Sequence, residues 1–181
     1  MVRAFRPEPI PDDSLARVLD AGRRAPAAGN TREGRRFVTL TGGETNHYWD
    51  VTLGDRREAF RWPRLLLAPV LVVVCCSPDA YASRYAEPDK ASRLGAGPTA
   101  WPQPFWWIDA GMAVEAMLLA ARAEGLGACF FGLFGHEVAV LRALGIPDGW
   151  RGAGTVAMGY ADPERDEPGR SAGRHLPTSG P

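Results

Sequence analysis

The chain has 181 residues, 45% of them hydrophobic, and 21 Lys plus Arg balance 21 Asp plus Glu to a formal net charge of zero. Such a composition describes a single soluble domain able to bury a substantial core and excludes a disordered tail or a coiled rod. Neutral overall charge gives no reason to expect a nucleic-acid partner, and the longest apolar run, 68–76, is under half the roughly 20 residues that cross a membrane.

Asp12, Asp13 and Ser14 offer helix-start acceptors ahead of Leu15, Val18 and Leu19 at helical spacing, which predicts a helix over 11–24. Pro26 stops it and leaves Ala27-Ala28-Gly29-Asn30 as a small-residue loop that a backbone or a flat ligand can approach closely. A strand is expected at 37–41. Between 42 and 64 the spacing of Trp49, Val51, Leu53, Phe60 and Trp62 fits a surface helix only loosely. Residues 69–76 are uncharged and largely β-branched, the pattern of a central strand covered on both faces.

The stretch 77–107 reads as a long irregular segment carrying Pro88, Pro98, Pro102 and Pro104 and an aromatic group that includes Trp101, Phe105, Trp106 and Trp107. Asp109 reads as the N-cap of the clearest helix, whose residues Met112, Val114, Met117, Leu118 and Ala121 predict nearly complete burial. A strand at 128–131, a turn at 132–135, a helix at 137–144 and a strand at 155–159 follow, and 162–181 reads as an extended polar tail. Strands separated by helices give an α+β (α/β layered) fold in one domain spanning 1–181.

Familiar catalytic clusters are absent. His47, His136 and His175 have no His or Cys neighbours at ligand spacing, so no metal site is expected. There is no nucleophile elbow and no phosphate-binding Gly-rich loop, and the sole lysine is Lys90. Cys75-Cys76 reads as a buried apolar pair. Three cysteines make no disulfide framework and the N-terminus has no signal-peptide pattern, so a reduced, cytoplasmic setting is expected. What remains is small residues at 27–29, backbone amides at 132 and 133, and arginines near both termini, a set suited to a flat, anionic, aromatic ligand such as an isoalloxazine with a phosphate tail.

The segments Arg3-Ala4-Phe5-Arg6-Pro7-Glu8-Pro9-Ile10-Pro11, Arg24-Ala25-Pro26-Ala27-Ala28-Gly29-Asn30, Asp109-Ala110-Gly111-Met112, Gly125-Leu126-Gly127-Ala128-Cys129 and Met158-Gly159-Tyr160 occur in an order that resembles the FMN-dependent nitroreductase family. The resemblance implies a central mixed sheet flanked by helices, an interlocked homodimer, and FMN bound in two sites built from both subunits. It also implies two-electron, ping-pong transfer from NADH or NADPH to a small-molecule acceptor such as a quinone or a nitroaromatic. No catalytic side chain is required, because the flavin N5 carries the hydride.

By the same resemblance Arg3 lies near flavin N1 and O2, where it stabilises the reduced anionic ring. Pro26, Ala27, Ala28 and Asn30 match the loop that reaches the flavin from the partner subunit, here with alanines at two frequent serine positions. Gly132 and Leu133 match the turn whose amides face N5, and Arg174, with Arg170 assisting, matches the C-terminal basic residue that holds the phosphate. Arg64 could meet the ribityl chain or the pyrimidine edge.

Phe105 and Trp106 either wall an acceptor site or serve as core or interface residues. Met1 stands where the family commonly has a hydroxyl residue, its two preceding basic residues would fall upstream, and Arg32-Glu33-Gly34-Arg35 replaces a Gln-Pro-Trp. The readings in competition are an O2-using oxidase or flavin-fragmenting enzyme on the same fold, and a flavin-binding or ligand-binding dimer with little turnover.

Overall fold

The computed structural model describes residues 1–91, 101, 103–169 and 173. Four strands, β1 (Arg35–Thr41), β2 (Val70–Cys76), β3 (Gly127–Phe131) and β4 (Arg151–Gly159), form one sheet in the order β1-β2-β4-β3. Every pairing among them is antiparallel, so the mixed character that the resemblance implies is not found among these four strands.

All seven residues of β2 are buried. Alternation along a strand sends neighbours to opposite faces, so Leu71, Val73 and Cys75 enter one core while Val70, Val72 and Val74 enter another. On the first face lie α2 (Gly43–Leu53) and α5 (Glu137–Ala143), contributing Tyr48, Trp49, Val140 and Leu141. On the second lie α1 (Asp12–Arg24) and α4 (Phe105–Ala123), contributing Val18, Leu19, Ala110, Val114 and Met117. Helices α1 and α4 approach closely because Gly22 has no side chain: a Cβ there would stand 2.8 Å from Met117 Cγ.

The register of β2 on β4 shifts between Val74, which faces Gly154, and Cys75, which faces Gly152. Gly154 has φ +148°, and a Cβ on it would stand 2.5 Å from the Phe130 ring and 2.7 Å from the Phe131 carbonyl oxygen. Only glycine fits, and the bulge bends β4 at the end where the loops gather.

Three expectations are corrected. The segment 77–107 is not irregular throughout: α3 runs Pro78–Tyr85, begun by Ser77, whose hydroxyl accepts from Ala80 N–H, with Pro78 in the first turn. Helix α4 begins at Phe105, which places Asp109 inside the helix rather than at its cap. Nor is α4 nearly wholly buried, since Ile108 and Leu119 are 45% and 63% exposed and Gly111 lies open between them. The segment 42–64 resolves into α2 followed by a short 3-10 turn at Gly54–Arg57.

Cys75, Cys76 and Cys129 are buried free thiols, and no disulfide joins them. Burial pushes the Cys75 and Cys76 thiols up to about 12, against a small opposing pull from Arg36 on Cys75 and from Arg151 on Cys76. The thiolate is the reactive form. Native protein at pH 8 is therefore expected to leave all three thiols unmodified by a thiol-specific alkylating reagent and to expose three in denaturant; rapid native labelling of Cys75 or Cys76 would contradict the two-faced burial of β2.

Candidate functional site

The N-terminal segment is laid along the sheet by backbone pairing: Val2 N–H donates to Ala128 O at 3.0 Å, Arg6 N–H to Tyr160 O at 2.9 Å and Asp162 N–H to Ala4 O at 2.9 Å. Phe5, fully buried, bridges to Ala161 and anchors the segment in the α2-side core. These contacts place Arg3. Its own N–H donates to Asp166 Oδ1 at 2.8 Å, and its guanidinium lies 5.5 Å from the Trp62 ring centre. It forms no ion pair with any described carboxylate.

Beside Arg3 opens a cavity of about 370 Å³, walled by Tyr48 and Trp49 of α2, by Phe60, Trp62 and Leu65 of the following segment, and by Phe131, Gly132 and Leu133 at the end of β3. The walls are aromatic and rigid: Trp49 stacks on Phe131 with centroids 5.8 Å apart and stands edge-on to Tyr48 at 5.0 Å. Tyr48 hydroxyl is bonded to Thr155 at 2.8 Å, and burial pushes its pKa up to about 12, which keeps it neutral. Trp49 Nε1 is buried with no acceptor among the described residues.

The N–H groups of Gly132 and Leu133 likewise find no described acceptor. Leu133 is fixed by its side chain, which fills the space over Gly152, where a Cβ would stand 2.3 Å from its Cδ1. Phe134 then turns the chain with φ +46° and leaves its ring 86% exposed at the cavity rim.

A second group gathers around 26–30. Ala28 N–H donates to Asp109 Oδ2 at 2.7 Å and Tyr81 hydroxyl donates to the same oxygen at 2.6 Å, all three residues lying where α3, α4 and the loop meet. Burial, then the bond to Asp109, pushes the Tyr81 pKa up, so the phenol stays a donor. Arg35 ties down the loop's other end, donating to Ala25 O at 2.8 Å and to Pro26 O and Asp109 O at 3.3 Å each. Arg84 Nε donates to Gly29 O at 2.8 Å.

Asn30 has φ +59°. It and Phe134 are the two described non-glycine residues in the left-handed region, one in each group, a strain that persists only where the surroundings impose it. Phe105 and Trp106 belong with this second group: Trp101 joins both rings at 5.7 and 6.3 Å and reaches Tyr85 at 4.8 Å, while Gly29 abuts Tyr85.

The structure thus brings Arg3, Gly132 and Leu133 together around one cavity and collects Ala27, Ala28, Asn30, Phe105 and Trp106 elsewhere. The cavity is lined by none of the second set. The loop leads into β1 and the 132–134 turn leaves β3, the two edges of the sheet. Arg64 is committed to Asp162, and its carbonyl accepts from Phe5 N–H, so it braces the N-terminal segment. Arg170 and Arg174 lie outside the described residues. Sequence reasoning missed Tyr48 and Trp49 as cavity walls; their only signal was an adjacent aromatic pair in a stretch of weak periodicity.

The sequence profile described as the nitroreductase family matches residues 1–54 and 42–160. The chain belongs to that family. It is 28% identical over 169 residues, 91% of its length and 82% of the other's, to a protein of Archaeoglobus fulgidus provisionally named NADH dehydrogenase/NAD(P)H nitroreductase. Among solved structures, a Bacteroides fragilis nitroreductase with bound FMN superposes with a TM-score of 0.66 at 21% identity, covering 99% of this chain and 91% of the other. An FMN-dependent nitroreductase of Clostridium difficile gives 0.67 at 15% identity, covering 98% and 94%. The fold is therefore the nitroreductase fold.

Asp109 is 2% exposed and Tyr81 is fully buried. Asp109→Ala strands the buried Tyr81 hydroxyl and the half-buried Ala28 N–H, a buried donor being worth about 1–3 kcal/mol when unpaired. The variant is expected to lose about 3 kcal/mol of unfolding free energy and Tyr81→Phe less, with the double variant no worse than Asp109→Ala alone. Full additivity in urea melts would break the shared-oxygen assignment.

Proposed function

We propose that this member of the nitroreductase family binds FMN in the cavity beside Arg3 and, as a homodimer, passes two electrons from NADH or NADPH to a planar, electron-poor acceptor such as a quinone or a nitroarene. The carrying observation is that Arg3, with no described ion pair, and Gly132 and Leu133, whose amides have no acceptor among the described residues, all line one aromatic-walled cavity of about 370 Å³. A flat ring with acceptor atoms along one edge and a polar tail fits that donor set.

Bound FMN supplies two-electron hydride chemistry that no side chain here offers. The chain's own residues bind and tune. Arg3 holds positive charge where the ring becomes anionic on reduction, and in a site walled by Trp62 and Phe60 that attraction is screened less than in water. The Gly132 and Leu133 amides are fixed donors that need no reorganisation as charge develops. The aromatic walls exclude water and favour stacking of a planar acceptor.

Homodimerisation follows from what one chain leaves undone. The loop at Ala27–Asn30, with Phe105 and Trp106, is rigidly built yet stands away from the cavity in its own chain. Ile108, Gly111 and Leu119, with Glu115 among them, leave the outer face of α4 open beside it, and a second copy seated on that face would bring the loop of one subunit to the cavity of the other.

The test is an absorbance spectrum of protein purified with and without added FMN, followed by anaerobic addition of NADH or NADPH. Bound flavin that bleaches is expected, and protein that stays colourless in excess FMN sinks the reading. Arg3→Ala is expected to weaken FMN retention or slow flavin reduction by about tenfold or more, the scale of one charged hydrogen bond; unchanged values for both would remove Arg3 from the site.

A further inference from the structure

Several arginines pair with acids, Arg17 with Glu124, Arg24 with Asp20, Arg57 with Asp50, Arg84 with Asp89 and Arg151 with Glu137, while others have no described ion pair. One groove gathers four of the latter. Arg23, Arg32, Arg35 and Arg36, with Phe37, line a depression of about 420 Å³ at the start of β1, and none of the four guanidiniums has a described carboxylate within ion-pair distance. The lining contains no acid. Burial first, and Arg32 among the nearby charges, pulls the Arg35 pKa down, against the raising effect of Tyr81 and Asp109.

Three of the four have described partners: Arg35 is pinned by three carbonyl contacts, Arg32 is steadied by Asn30 Oδ1 at 3.0 Å through Nε alone, and the Arg36 guanidinium lies 4.8 Å from the Trp150 ring centre. Stacking occupies the face of a guanidinium and leaves its N–H edge free for a planar or tetrahedral oxyanion. Phe37 adds an apolar wall where a nucleobase can rest.

We propose that this groove binds the phosphate monoester of the nicotinamide donor, the 2′-phosphate that distinguishes NADPH from NADH. The inference rests on the donor reading above. It is placed by Arg35, whose contacts with the carbonyls of Ala25 and Pro26 join the groove to the loop that would reach the partner's cavity. Arginine is the usual partner of that phosphate.

Calorimetric titration of the full-length protein with adenosine 2′,5′-bisphosphate, adenosine 5′-phosphate and inorganic phosphate tests it. The bisphosphate is expected to bind about tenfold tighter or better than either of the others, and Arg32→Ala/Arg36→Ala, both exposed, to erase the difference, as is the single reversal Arg23→Glu. Equal binding of bisphosphate and 5′-phosphate overturns the proposal, as does a preference that survives both variants. Inorganic phosphate binding as tightly as the bisphosphate assigns the groove to a free anion instead. Sedimentation showing that the double variant dissociates a dimer assigns it to carboxylates of a second copy. No flavin is needed for the readout, so colourless protein that keeps the preference fails the flavin reading alone, whereas flavin-loaded protein without it fails only this one.

Discussion

A strand with no exposed face dictates the rest of this molecule. All seven residues of β2 are buried, and a run of Val, Leu and Cys that presents apolar atoms on both sides demands a helical layer on each. The two cores that result are separate clusters, one centred on Trp49 and Leu71, the other on Val18, Val72 and Met117. Chain connectivity then sends α2 and α5 to one layer and α1 and α4 to the other. Everything of chemical interest sits where these layers end.

That division explains why the cavity and the small-residue loop are apart. The cavity belongs to the α2 layer and to the β3 edge; the loop belongs to the α1 layer and to the β1 edge. Each is rigid for its own reason. The cavity is held by stacked aromatics and by a backbone-paired N-terminal segment, and the loop by one carboxyl oxygen that takes two hydrogen bonds, together with Arg35 gripping its carbonyls. Under the proposed homodimer the two would be half-sites, which a twofold pairing would complete together.

The sequence declared the elements that packing alone determines. Strand β2 and helix α1 were legible because continuous burial and an apolar stripe each leave a distinctive period, whereas Arg3, Gly132 and Leu133 were expected at a ligand site through family resemblance and are found lining one cavity. Helix α3 was not expected, since its polar surface hides any stripe, although Ser77-Pro78-Asp79 carries a helix-start signature. Asp109 misled for a physical reason: an acid ahead of an apolar helix is ordinarily a cap, but this one is spent on Ala28 and Tyr81, partners distant in sequence. Tyr48 and Trp49 became cavity walls only through α2 crossing the sheet, which no local pattern records. The partition of Phe105 and Trp106 away from Arg3 is likewise a property of topology.

The threading of the first six residues has a practical corollary. Met1 and Arg3 both line the cavity, and the backbone between Val2 and Arg6 is stitched to Ala128 and Tyr160. Any peptide fused ahead of Met1 therefore emerges at the mouth of the cavity, where it can shadow the opening or occupy it. Purification handles and reporter fusions placed at that end would begin beside the cavity that Met1 and Arg3 line.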